Sequence, residues 1–186
     1  KTRGFFVDLG CEVDAACPDL SGARDAFHIL RAASFARRHG PGVRRNPNDY
    51  KKTIVWNVEA GLALNDTDVQ RALQQQTALI ARFNVFFEHF DFLITPVVQV
   101  LPFDAELEYV TAIEGKPMQT YIEWMESCSI VSLTGLPALS LPAGFSAQGL
   151  PVGLQIIGKP HADLAVLQLA KAFESLNPVW KQEPIF

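Results

Sequence analysis

From Ser127 to Gly158 the chain carries no charged residue, and this run limits what the sequence can fold into. As one helix it could outspan a bilayer. Pro137, Pro142 and Pro151, with several glycines, cut it into pieces too short to do so. A helix end followed by two buried strands fits better: Ala138 to Leu141, then Val152 to Ile157, joined by a Gly/Ser turn. No membrane partner is expected.

The flanking sequence supplies helices to cover such strands. Arg3 to Leu9 followed by Gly10 reads as the last turns of a helix with a glycine stop, leading into a short strand at Cys11 to Val13. Ser21 can cap a helix with Ala23, Ala26, Phe27, Leu30 and Ala33 on one face. Arg37, Arg38 and His39 suit its last turn, and Gly40-Pro41 is expected to stop it. Asp49 can open a helix carrying Ile54, Val55, Val58 and Leu62. Asn65 or Asp66 caps the longest one, with Val69, Leu73, Ile80, Phe83 and Phe87 at helical spacing. Phe92 to Thr95 reads as a short buried strand ended by Pro96. Val97 to Lys116 has no period and reads as a surface flap, and Pro117 suits the first position of a helix bearing Met118, Tyr121, Met125 and Cys128. Asp163 opens a final helix with Leu164, Leu167, Ala170 and Phe173. Helices alternating with short apolar strands predict an α/β fold with a mixed β-sheet flanked by helices. About four strands would leave apolar faces and an edge uncovered, so further chain is expected to complete the sheet.

At 186 residues, one domain with a sizeable core is sufficient. The formal net charge of -4 gives no footprint for nucleic acid. The pairs Arg37/Arg38, Arg44/Arg45 and Lys51/Lys52 read as solvated surface. Cys11, Cys17 and Cys128 cannot all pair within the chain and form no zinc-like set with histidine, so a reducing cytoplasm is the default and no metal is expected. The N-terminus starts without Met and has no long apolar stretch of the signal-peptide kind. It looks cut, and the chain reads as opening in the middle of an element.

Chemistry-bearing motifs are weak. Gly144-Phe145-Ser146-Ala147-Gln148 approximates a nucleophile elbow, but Gln148 replaces the second glycine and the setting is a strand-to-strand turn. Gly153 to Lys159 has the spacing of a phosphate loop, yet its interior is apolar and Pro160 stands where a Ser or Thr would bind magnesium. The histidines 28, 39, 89 and 161 are scattered. Cys128 lies on an apolar helical face, where an inert thiol is usual.

One run is far more specific. Thr134-Gly135-Leu136-Pro137-Ala138-Leu139-Ser140-Leu141-Pro142-Ala143-Gly144-Phe145, followed by Gly149-Leu150-Pro151-Val152-Gly153-Leu154-Gln155-Ile156-Ile157-Gly158, closely resembles the C-terminal motif of the amidase signature family. Phe92 to Pro96 is similar to the family's short strand, Asp163 to Glu174 to its closing helix, and Pro178-Val179-Trp180 with Pro184 to its tail. Gly10 through Leu20 and the helix after it are similar more loosely.

The resemblance implies acyl transfer on carboxamides by a serine, a second serine in a cis peptide, and a lysine, carried on a Gly/Ser-rich segment upstream. Residues 1–186 hold no such segment and no lysine that matches, so the catalytic residues carry over to no position here. The implied reading is the C-terminal part of a single amidase domain, its catalytic half absent and this chain inactive alone. What carries over is scaffold: Gly135 and Pro137 for the turn from helix to strand, Gly144 and Gly149 for the hairpin, Gly153 for close packing. Ser132 stands where many members have Asn. The resemblance makes Trp124, Cys128 and Val97 the candidates for the substrate pocket. It calls for no cofactor, for a small-molecule amide and the missing N-terminal half as partners, and is compatible with a homodimer. Two alternatives remain open: a noncatalytic subunit or binding module reusing the half-fold, and part of a glutamyl-tRNA amidotransferase-type subunit.

Overall fold

The computed structural model describes residues 2–182; Pro184, part of the resemblance in the tail, lies outside them. In chain order the elements are α1 (Thr2–Asp8), α2 (Ala23–Arg45), α3 (Lys52–Leu62), α4 (Asp66–His89), β1 (Phe92–Pro96), β2 (Ala112–Ile113), β3 (Lys116–Pro117), α5 (Glu126–Thr134), β4 (Ala138–Phe145), β5 (Pro151–Gly158) and α6 (Asp163–Leu176). The α/β class holds, and every strand pairing among the described residues is antiparallel. The chain divides into two compact units, residues 19–83 and residues 1–18 with 84–186.

The larger unit is built on a three-stranded sheet in the order β1-β5-β4. The strand β5 is central because it is the most apolar: residues 154–158 are all buried. Leu93 stands opposite Ile157 and Thr95 opposite Gln155 on one side, Ser140 opposite Gln155 and Leu141 opposite Leu154 on the other. Side chains alternate across a strand, so Leu154 and Ile156 enter the core with Leu141, Val166, Ala170, Phe173 and Phe6. Phe6 stacks on Phe173 at 5.1 Å between centroids, tying α1 to α6. Gly158 lets α6 lie close, since a Cβ there would come to 2.6 Å from Val166 Cγ2. The pairing shifts by one residue between Pro142 and Gly144, a bulge that bends β4 toward the turn.

No strand forms at Cys11 to Val13. The Cys11 amide donates to the Phe6 carbonyl, and the Val13 carbonyl accepts from Arg3, so these backbone groups finish α1 and a side-chain contact rather than a ladder. Pro117 pairs in β3 with Ala112 instead of opening a helix, and α5 starts only at Glu126, after a 3₁₀ turn at Glu123–Met125.

In the smaller unit α2 and α3 pack closely. A Cβ on Gly61 would fall 2.1 Å from the Ala32 carbonyl oxygen. The expected stop at Gly40-Pro41 fails, because α2 runs through Pro41 to Arg45 with Gly40 and Val43 buried. Burial there outweighs the lost intrahelical bond. Ser21 caps nothing: its hydroxyl donates to Asp19, and Gly22 in the left-handed region precedes the helix. Asn65 does cap α4, its Oδ1 accepting from the Asp68 amide while Asp68 accepts from that of Asn65. A 3₁₀ turn at Pro47–Asp49 precedes α3, where Asn57 and Val58 are buried and Leu62 is exposed.

Candidate functional site

A recess of about 370 Å³ lies in the larger unit between α5, the turn after it, β4 and the start of the flap. Its walls are Val97, Cys128, Val131, Leu136, Ala138 and Leu139, with Ser132, Ser140 and Gln155 as polar members and Gly135 at the rim.

Local sequence explains each wall. The chain leaves α5 at Gly135, whose φ of 68° suits glycine and ends the helix. Leu136-Pro137 then leads straight into β4, where Ala138 and Ser140 point to the face opposite the core. Gln155 is the polar residue that β5 turns to the same face. It is 5 % exposed, and its Nε2 reaches Thr95 Oγ1 (2.8 Å), the Ser127 carbonyl (3.0 Å) and the Pro96 carbonyl (3.4 Å). One amide thus links β1, β5 and α5.

The flap is latched to the same helix. Gln99 Oε1 accepts from the backbone amides of Glu126 (2.6 Å) and Ser127 (3.4 Å), satisfying donors at the start of α5 that no neighbouring residue caps. Ser127 Oγ donates to the Val97 carbonyl at 2.8 Å. Val97 then sits over Gly153, where a Cβ would meet its Cγ2 at 3.0 Å. The close packing expected of Gly153 is therefore against the recess wall itself.

Two of the three expected pocket residues, Val97 and Cys128, come together here. Trp124 does not line the recess; its ring meets Phe103 edge-on at 5.4 Å. Gln155 is not among the residues expected from sequence, although a lone amide in an apolar strand marks a group that must find buried partners. Val131, Leu136 and Ser140 were not expected either.

The Cys128 thiol donates to the Met125 carbonyl at 3.1 Å, and burial pushes its pKa up, more than its own and the Ser129 backbone amides pull it down. It is a neutral wall group at neutral pH rather than a nucleophile. Ser146 occupies the β4–β5 turn, its Oγ accepting from the amides of Gln148 and Leu150, a role in turn geometry. The phosphate-loop lookalike lies along β5, and Lys159 pairs with Asp91 at 2.9 Å. Among the described residues no group of three or more His, Cys, Asp or Glu could hold a metal ion, and no helix is long and apolar enough to cross a membrane.

The fold, a hairpin-centred antiparallel sheet backed by α6, is shared with amidases of known structure. One solved amidase superposes with a TM-score of 0.82 at 26% identity, over 94% of this chain and 41% of that one. A bacterial aryl acylamidase of the amidase signature family gives 0.82 at 23% identity, over 97% of this chain and 39% of that one, a likeness of fold. By sequence, the chain is 35% identical over 161 residues to a glutamyl-tRNA(Gln) amidotransferase subunit from Dehalococcoides mccartyi, 86% of this chain and 29% of that protein. The Amidase family model matches residues 43–167. The chain belongs to the amidase family, an amide C–N hydrolase-type family. It spans less than a third of the length of the curated relatives it matches.

Proposed function

We propose that residues 1–186 are the C-terminal part of an amidase that hydrolyses carboxamide C–N bonds, and that the recess forms the acyl side of its site. The observation that carries this reading is the recess itself: a pocket of small-molecule size, six of whose ten lining residues belong to the family's motif, from Gly135 to Gln155, the rest coming from α5 and the start of the flap. In this reading the serine, cis-serine and lysine lie on polypeptide outside the chain. Lysine and the bridging serine take the nucleophile's proton, the serine attacks the amide carbonyl, and the C–N bond breaks with proton return to the leaving amine. Water then releases the acid. The chain's own residues orient the acyl group: Val97, held by Ser127 and Gln99, forms one side, and Ala138 with Ser140 forms the other.

A second reading is a component of a multichain amidotransferase, supported by the 35% identity to a protein of that kind. Ammonia measurement separates the two. The purified chain is assayed with simple carboxamides, alone and after recombination with a polypeptide bearing the Gly/Ser-rich segment and its lysine. The proposal predicts no turnover alone and free ammonia after recombination. Turnover by the chain alone contradicts it, and ammonia transferred only when a glutamylated tRNA acceptor is present favours the second reading.

A further inference from the structure

We infer that the recess selects an electrically neutral, largely apolar acyl group, so that its amides are those of uncharged aliphatic or aryl acids and not zwitterionic ones such as glutamine. The inference rests on the reading of the recess as the acyl side of an amide site.

Its residues carry the argument. Among the described residues no Asp, Glu, Lys, Arg or His lines the recess, and Glu126, the charged residue of α5, lies outside the lining. Of the polar groups that line it, Gln155 Nε2, Ser132 and Cys128 are engaged, and the exposed Ser140 adds only a neutral hydroxyl. Gln155 Nε2 is held by Thr95 and by the carbonyls of Ser127 and Pro96. The Ser132 hydroxyl donates to the Cys128 carbonyl at 3.0 Å, and the Cys128 thiol to that of Met125. Burial keeps that thiol protonated, so it adds no anion to the wall at neutral pH. An ammonium or carboxylate entering here would shed water and meet no counter-charge, a loss that neutral hydroxyls do not repay. A methylene chain or ring instead gains from contact with Val97, Val131, Leu136 and Leu139.

The test is a titration of the isotopically labelled chain followed by NMR, with phenylacetamide and hexanamide as neutral probes, glutamine as the zwitterion and 6-aminohexanamide as the cation. Neutral probes should shift the amides of Val97, Cys128 and Ser140, and bind at least about tenfold more tightly than glutamine. Ser140 is exposed, so Ser140→Asp can place a carboxylate in the recess without disturbing the core, and it should shift preference toward the cation. Gly153→Ala, which forces Val97 to move, should weaken neutral binding. Glutamine binding as tightly as phenylacetamide overturns the inference, as does absence of any shift at these residues with the neutral probes. Failure of the amidase reading looks different: neutral probes bind at the recess, yet the recombined protein releases no ammonia.

Discussion

Gln155 and Cys128 show how single side chains set the character of the recess. Replacing Gln155 by Leu leaves the Ser127 and Pro96 carbonyls without their buried donor, so Gln155→Leu should cost about 1–3 kcal/mol, measured as a lower urea midpoint at unchanged slope. An unchanged midpoint would mean that the amide link between β1, β5 and α5 is dispensable. For Cys128 the sign follows from burial: the neutral thiol is favoured, the pKa lies above that of a free thiol, and the reactive thiolate is scarce at neutral pH. In a Cys11→Ser, Cys17→Ser background, alkylation by iodoacetamide should be slower than that of a free thiol at pH 7. Its rate should rise with pH to a midpoint above the ordinary thiol value. A midpoint at or below that value contradicts the stated environment.

At the scale of elements, the helix pair of the smaller unit tests whether packing or local propensity decides. Pro41 removes a donor inside α2, while Gly40 and Val43 around it are buried. Pro41→Ala should therefore stabilise the protein by about 1–3 kcal/mol, seen as a higher melting temperature; a fall would show that the proline's geometry is required. Gly61→Ala should do the opposite. Its new Cβ would lie 2.1 Å from the Ala32 carbonyl oxygen and 2.7 Å from the Ala36 Cβ, so α2 and α3 must separate, at about 1–3 kcal/mol read from the denaturation midpoint. The same elements show what a sequence can disclose. The strands β4 and β5 and the helix α6 were legible because the apolar runs there are bounded by Gly and Pro and by Asp163 in the first turn of α6, so local and tertiary signals agree. The end of α2 was not, because a strong local stop signal lost to burial. The strand expected at Cys11 to Val13 had the right composition but spends its backbone groups on α1 and Arg3. Val97 and Cys128 could be placed near a pocket through the family motif. Trp124 could not be separated from them, because a 3₁₀ turn, invisible in the helical spacing, turns its ring toward Phe103.

For the whole molecule, the account we propose is that this polypeptide shapes an uncharged acyl side of an amide-cleaving site. The match covers less than a third of the length of the amidotransferase subunits it resembles by sequence, and the matched family region runs through the walls of the recess. Ala138 allows this account to be tested without touching the core, since it is exposed, lies on β4 and lines the recess. The measurement is kcat/KM for phenylacetamide hydrolysis by the chain recombined with the segment bearing the serines and lysine, with and without Ala138→Phe. A phenyl group filling the recess should lower kcat/KM about tenfold or more while leaving the melting temperature of the chain unchanged. An unaltered kcat/KM in a folded Ala138→Phe protein would show that the acyl group binds somewhere else.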